Sequence, residues 1–205
     1  MTEYIAPIII SSDIRRWSED IHADNVAAGW WSDLKTGERL QRNVGELLML
    51  IVSEGCEGAD GLERNLMDDK LPHREMIEVE LADQAIRIFD FIGGLGLTNE
   101  AVSRFDYYQS TEPGKRELAA FFAPCRNPND YLLRIIRFCA AAMELDRKKR
   151  EGVGQQMALA LHGIFILGEL LELDVVEAMA EKREFNRTRA DHQKANRLLD
   201  DGKRY

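Results

Sequence analysis

Apolar residues in this chain recur at intervals of three and four over most of its length, and runs of alternating polar and apolar residues are nearly absent. A pleated strand turns successive side chains to opposite faces, whereas a helix returns to the same face every 3.6 residues, so this spacing commits the chain to helices. Ile14, Trp17, Ile21 and Val26 predict a first amphipathic helix with Ser12 or Asp13 as its N-cap, broken by Gly29-Trp30-Trp31-Ser32-Asp33. Val44, Leu47, Leu48, Ile51 and Val52 predict a second over about 43–63, followed by a loop over 65–74. Ile77, Leu81, Ala85, Ile88, Phe89 and Ile92 predict a third over about 75–92, ended by Gly93-Gly94. Residues 98–130 are mixed and carry the breakers Pro113, Gly114, Pro124 and Pro128, with a short helix predicted over 115–122. Two further helices, about 129–150 and 153–171, are separated by Glu151-Gly152, and a short helix over 175–185 leads into a polar tail. The one β-branched stretch, 4–10, is isolated. The expectation is an all-α fold, an elongated helical bundle formed by 1–205 as a single domain.

The chain has 205 residues and a formal net charge of −9, a size that suits one domain. The acidic balance argues against a nucleic-acid partner, whose phosphates require a basic face, and against an anionic membrane surface. A small phosphate compound is still admissible if cations neutralise it. Cys56, Cys125 and Cys139 are widely spaced, form no CxxC pair and lie in or beside apolar stretches, so they read as buried thiols in a reducing compartment. His22, His73, His162 and His192 lie far apart, which argues against zinc. The longest apolar run, 157–171, contains His162 and Glu169 and falls short of a membrane span. Segment 5–10 is too short for a signal sequence, so a cytoplasmic location is expected.

Segment 81–97 resembles 157–173 at a constant offset, apolar position on apolar position, as a worn internal repeat would. Glu80 and Asp83 become Gln156 and Leu159 in the second copy, which would then serve structure alone.

The chemistry concentrates on the second and third helices. Glu54 and Glu57 are three apart, as are Glu80 and Asp83, so each pair shares a helical face beside an apolar stripe, and Asp90 extends the second line. A short loop makes the two helices antiparallel neighbours, and four carboxylates would then face one another. Such a set cannot share a dry cleft unless cations enter or some acids keep a proton. Hard oxygen ligands select Mg²⁺, with Mn²⁺ as a substitute. Either pair taken alone is also what an ordinary solvated helix face carries. Gly55 and Gly58 flank the first pair, each costing up to about 1 kcal/mol of helix propensity. Close approach of another helix, or of a substrate, would explain them.

An ExxE helix, a loop and an ExxD helix together resemble the all-α nucleoside triphosphate pyrophosphohydrolases, the MazG-like and dimeric-dUTPase-like superfamily. The likeness runs through 50–57, the loop 66–74, the helix 78–90 and the C-terminal segment 181–192, and covers roughly 13–97 and 172–197. Residues of about 98–171 would be an insertion relative to short members. The resemblance implies that Glu54, Glu57, Glu80 and Asp83 hold Mg²⁺, and that Glu54 or Glu57 activates water. It implies hydrolysis of a nucleoside triphosphate to the monophosphate and pyrophosphate. A narrower dUTP or dCTP hydrolase, or a non-catalytic helical binding or assembly protein of the same shape, would carry the same motifs.

The tail fits that reading on its residues. Lys182 and Asn186 are one helical turn apart and Arg189 follows, a mobile charge, a neutral donor and a two-pronged fork that suit a polyphosphate. A solvated basic terminus has the same composition. Trp30 and Trp31 offer a flat face for a base to stack on, or an apolar cap for the bundle. The broad apolar faces of 132–143 and 157–170 predict a homodimer.

Overall fold

The computed structural model describes residues 9–199 and is built of α-helices in this order. α1 spans Ser11–Ala27, α2 Val44–Arg64, α3 Met76–Gly94, α4 Thr98–Ser110, α5 Glu112–Phe122, α6 Pro128–Arg147, α7 Val153–Leu170, α8 Val175–Thr188 and α9 Lys194–Arg197. Among the described residues, β-type pairing is confined to the isolated bridges Ser32 with Arg39 and Met67 with Glu75. Residues 4–8 of the β-branched stretch lie outside the described residues, and Ile9 and Ile10 are not in a strand.

The helix starts follow local chemistry. The side chains of Asn43, Thr111, Asn127 and Asp174 accept hydrogen bonds from the backbone N–H groups of Glu46, Gly114, Asp130 and Glu177, at 3.0–3.1 Å. α1 begins two to three residues earlier than predicted: Ile10 is the cap residue, and the Asp13 carboxylate accepts its N–H at 3.1 Å. Pro113 and Pro128 stand in the first turns of α5 and α6, where no intrahelical N–H is needed, so they start helices rather than break them. α4 is absent from the sequence reading. Only Ala101, Phe105 and Tyr108 of it are buried, a face too narrow to stand out among polar neighbours. α3 ends at Gly94, as the glycine pair predicts, and Gly96 takes the left-handed turn that follows. A Cβ on Gly94 would fall 2.2 Å from the Trp31 ring, so this glycine makes room for the indole.

α3 and α7 form the centre. α1, α2 and α8 pack on α3, and α4 and α6 pack on α7, with the two groups joined by contacts between α2 and α6 and between α3 and α7. The internal similarity is mirrored in this packing: α2 lies along α3 as α6 lies along α7, and α8 packs on α3 as α4 packs on α7. α7 is long and apolar enough to cross a membrane, but 67% of that window is buried inside the chain, so it is a core helix here. Its apolar face, expected to need a partner subunit, is thus covered within one chain. Of the three cysteines only Cys139 is buried; Cys125 is half-buried and Cys56 is exposed, contrary to the sequence reading. Cys56 is a residue of α2 on the side away from its buried face.

Candidate functional site

α2 settles closely on α3 because Gly55, Gly58 and Gly61 recur at every third position along it. A Cβ on Gly55 would lie 2.6 Å from Gln84 Nε2, one on Gly58 3.0 Å from Ile77 Cδ1, and one on Gly61 2.8 Å from Met76 Cβ. Gln84 uses the space to donate to the carbonyl of Ile51 at 3.0 Å, across the helix pair. The expected close approach of another helix is therefore what these glycines serve, and Gly61 and Gln84 belong with them.

This packing brings the carboxylates of Glu54, Glu57 and Glu80 together, with one oxygen of each within 4.8 Å of the others. Glu54 and Glu80 are buried and Glu57 is exposed. Burial, then the neighbouring Glu54 and Asp83, push the Glu80 carboxyl well above the usual carboxylate range. Burial and Glu54 also raise Glu57. Without a cation the group therefore retains a proton on Glu80 at neutral pH.

Asp83, the expected fourth member, stands beside this triad but is held by Lys182 at 2.7 Å. Burial raises its pKa even against that cation. Burial disfavours the Lys182 charge, and Asp83, Asp68 and Glu80 more than compensate, so its pKa lies above the usual lysine value. Lys182 is itself buried, so it stands here as a cation paired with Asp83 in the core. A second cation, not predicted from sequence, is Arg87, which stands one turn beyond Asp83 on α3 and donates through Nε to Glu54. Its signal was its place at i+4 from Asp83 on the same helical face.

α8 carries Lys182 into place and is clamped at both ends. Arg74 forks onto Glu181 at 2.8 and 3.2 Å, and His73 reaches the same carboxylate at 2.7 Å. Arg74 also binds Glu78 at 2.7 Å, and Glu78 accepts the backbone N–H of Asp174 just before α8, at 2.8 Å. Arg183 and Arg187 bind Asp24 of α1 at 2.7 and 3.2 Å.

The tail then folds over a cleft that adjoins the triad through Asp83 and Arg87. Leu47, Leu50 and Ile86 give it an apolar floor, and Trp30, Asn186 and Arg189 wall it. The Oδ1 atom of Asn186 is buried there without a hydrogen-bond partner. Trp30 has the guanidinium of Arg197 3.4 Å from its ring centroid and His192 edge-on at 5.2 Å. Arg189 pairs with Asp191. Of the residues expected around one site, Trp30, Asn186 and Arg189 line this cleft, and Lys182 meets it only through Asp83.

Trp31 and Asp90 belong to the framework. Trp31 is buried and donates its indole N–H to Asp90 at 2.9 and 3.1 Å, and Asp90 also binds His22 Nδ1 at 2.8 Å. Asp90 therefore does not extend the line of acids into the triad. Ser53 donates to its own helix at the carbonyl of Leu50, 2.9 Å away. Comparison of the chain with protein-family models, with curated proteins and with solved structures finds no match.

Proposed function

We propose that this chain is a Mg²⁺-dependent nucleoside triphosphate pyrophosphohydrolase, releasing a nucleoside monophosphate and pyrophosphate. The observation that carries the proposal is the convergence of Glu54, Glu57 and Glu80 beside a cleft that holds both an aromatic wall and polar donors. Oxygen-only ligands fit Mg²⁺ or Mn²⁺, and the retained proton on Glu80 is the state such a set adopts until a cation arrives. A bound Mg²⁺ would neutralise the phosphates and acidify water for attack on the α-phosphorus.

The chain's own residues supply the rest. Glu57, the exposed member, is the acid best placed to take a proton from water. Once a cation reaches Asp83, Lys182 can leave that carboxylate for the polyphosphate. Arg189 offers a two-pronged fork to the same group. Trp30 and the apolar floor suit a base, and the unpartnered Asn186 acceptor suits an N–H of the substrate.

A second reading has its own observation. Lys182 and Arg87 already neutralise Asp83 and Glu54, as they would in a non-catalytic helical binding protein whose acids are structural. A panel of ribo- and deoxynucleoside triphosphates, assayed with Mg²⁺ for monophosphate and pyrophosphate, separates the two. Turnover is expected, with a loss of about a hundredfold or more in Asp83→Asn. Turnover of dUTP or dCTP alone would narrow the activity to that substrate. No turnover on any member would favour the structural reading, and full activity in Asp83→Asn would take Asp83 out of the catalytic set.

A further inference from the structure

The cleft beside the triad is lined by Arg42, Arg87 and Arg189, and their donors are engaged differently. Arg42 donates through Nη1 to the carbonyl of Trp30 at 2.8 Å and through Nη2 to Glu46 at 3.0 Å. Arg189 stands on the tail just past α8, with its Nε on Asp191. Arg87 stands on α3 and donates through Nε to Glu54. Its Nη1 and Nη2 meet no hydrogen-bond partner among the described residues, and 33% of the side chain is exposed. A guanidinium tethered at one edge to a buried carboxylate has little freedom left to lose, and its end-on fork fits two oxygens of one phosphoryl group. Neither acid of the cleft wall takes up that fork: Asp83 is held by Lys182, and Asp90 by Trp31 and His22. The charge of Arg87 also reaches the triad, where it opposes the rise that burial imposes on Glu57 and on nearby Asp83. Arg87 is therefore shared by the triad and the cleft. The reacting phosphoryl group of a substrate must lie at that junction if its metal is on one side and its base on the other.

We propose that Arg87 is a further catalytic residue, donating through Nη1 and Nη2 to non-bridging oxygens of the α-phosphoryl group while Nε keeps Glu54 in place. This role rests on the hydrolytic reading of the site. In that reaction the water oxygen bonds to the α-phosphorus and the water proton passes to Glu57. The bond from the α-phosphorus to the bridging oxygen breaks, and its electron pair leaves on the pyrophosphate. Charge in such a transition state is spread over the phosphoryl oxygens and the departing group. A guanidinium already fixed beside those oxygens meets the charge without reorganising, so its contribution falls on the chemical step rather than on binding.

Steady-state turnover of nucleoside triphosphates by the full chain, together with calorimetric titration of Mg²⁺ alone, tests this role. In Arg87→Ala, kcat is expected to fall by about a hundredfold or more and KM to change far less. Mg²⁺ alone should bind this variant with unchanged or greater affinity, because Glu54 loses a competing cation. Arg87→Lys keeps a cation beside Glu54 but has no fork. It should keep the helix content and Mg²⁺ affinity of the wild type, with kcat still well below it. A wild-type rate in either variant, a loss carried by KM alone, or Mg²⁺ binding lost together with the rate would each overturn the proposal, the last by reducing Arg87 to a support for Glu54. If the wild type turns over no triphosphate, the hydrolytic reading fails and this role falls with it; if the wild type turns over and the variants keep pace, only this role fails.

Discussion

At Glu80, burial and two neighbouring carboxylates act together on one proton. The folded pKa lies above the ordinary 4.5, so above that pH the folded chain holds a proton that the unfolded chain has lost. Metal-free stability should therefore fall as pH rises through this window. His162 acts at the other end. It is buried against Phe105, whose ring stacks on it at 3.9 Å, and burial lowers its pKa from 6.5 to about 4. Here the unfolded chain binds the extra proton, and stability should fall by on the order of 3 kcal/mol as pH drops from about 6.5 to about 4. The two windows overlap between about 4.5 and 6.5, where their slopes oppose each other, so urea midpoints in the presence of a chelator should be flattest there, with the alkaline limb above and the acid limb uncovered in Glu80→Gln. Glu80→Gln should flatten the alkaline limb and His162→Phe should reduce the acid one; limbs unchanged by either substitution would refute these assignments. The acids themselves were legible in sequence, because spacing of three on two helical stripes is a local property. The cations that meet them were not, since Lys182 reaches Asp83 only through the tertiary packing of α8 on α3.

At the scale of elements, glycine sets the distances. Gly94→Ala would drive a methyl group into the rigid Trp31 indole, and overpacking of this kind costs about 1–3 kcal/mol. Helix propensity would return up to about 1 kcal/mol at most, so a net loss is expected, read as a lower urea midpoint at unchanged slope. An unchanged midpoint would show that the indole yields. Most helices were legible, because α2, α3, α6 and α7 bury broad apolar faces that repeat for several turns. α4 was not, because its narrow buried face gives little periodic signal. Gly94 serves twice, ending α3 and accommodating the Trp31 ring, and only the first role is visible in sequence.

For the whole molecule, the all-α architecture follows from the helical period. The pairing of α2 with α3 and of α6 with α7 echoes the internal similarity read in the sequence. Which of the apolar faces would be covered was not legible, since α7 lies inside the chain while Met49 of α2 and Leu133 of α6 stay exposed. The functional reading rests on one junction between these scales, the meeting of Glu54, Glu57 and Glu80 where α2 crosses α3. Calorimetric titration of Mg²⁺ into the metal-free chain near neutral pH, in two buffers of different ionisation enthalpy, examines it directly. The cluster should bind Mg²⁺ with release of a proton, and Glu57→Gln and Glu80→Gln should each abolish that binding while leaving the helix content intact. Absence of Mg²⁺ binding by the wild-type chain, or binding unchanged in Glu80→Gln, would contradict a metal centre at this site.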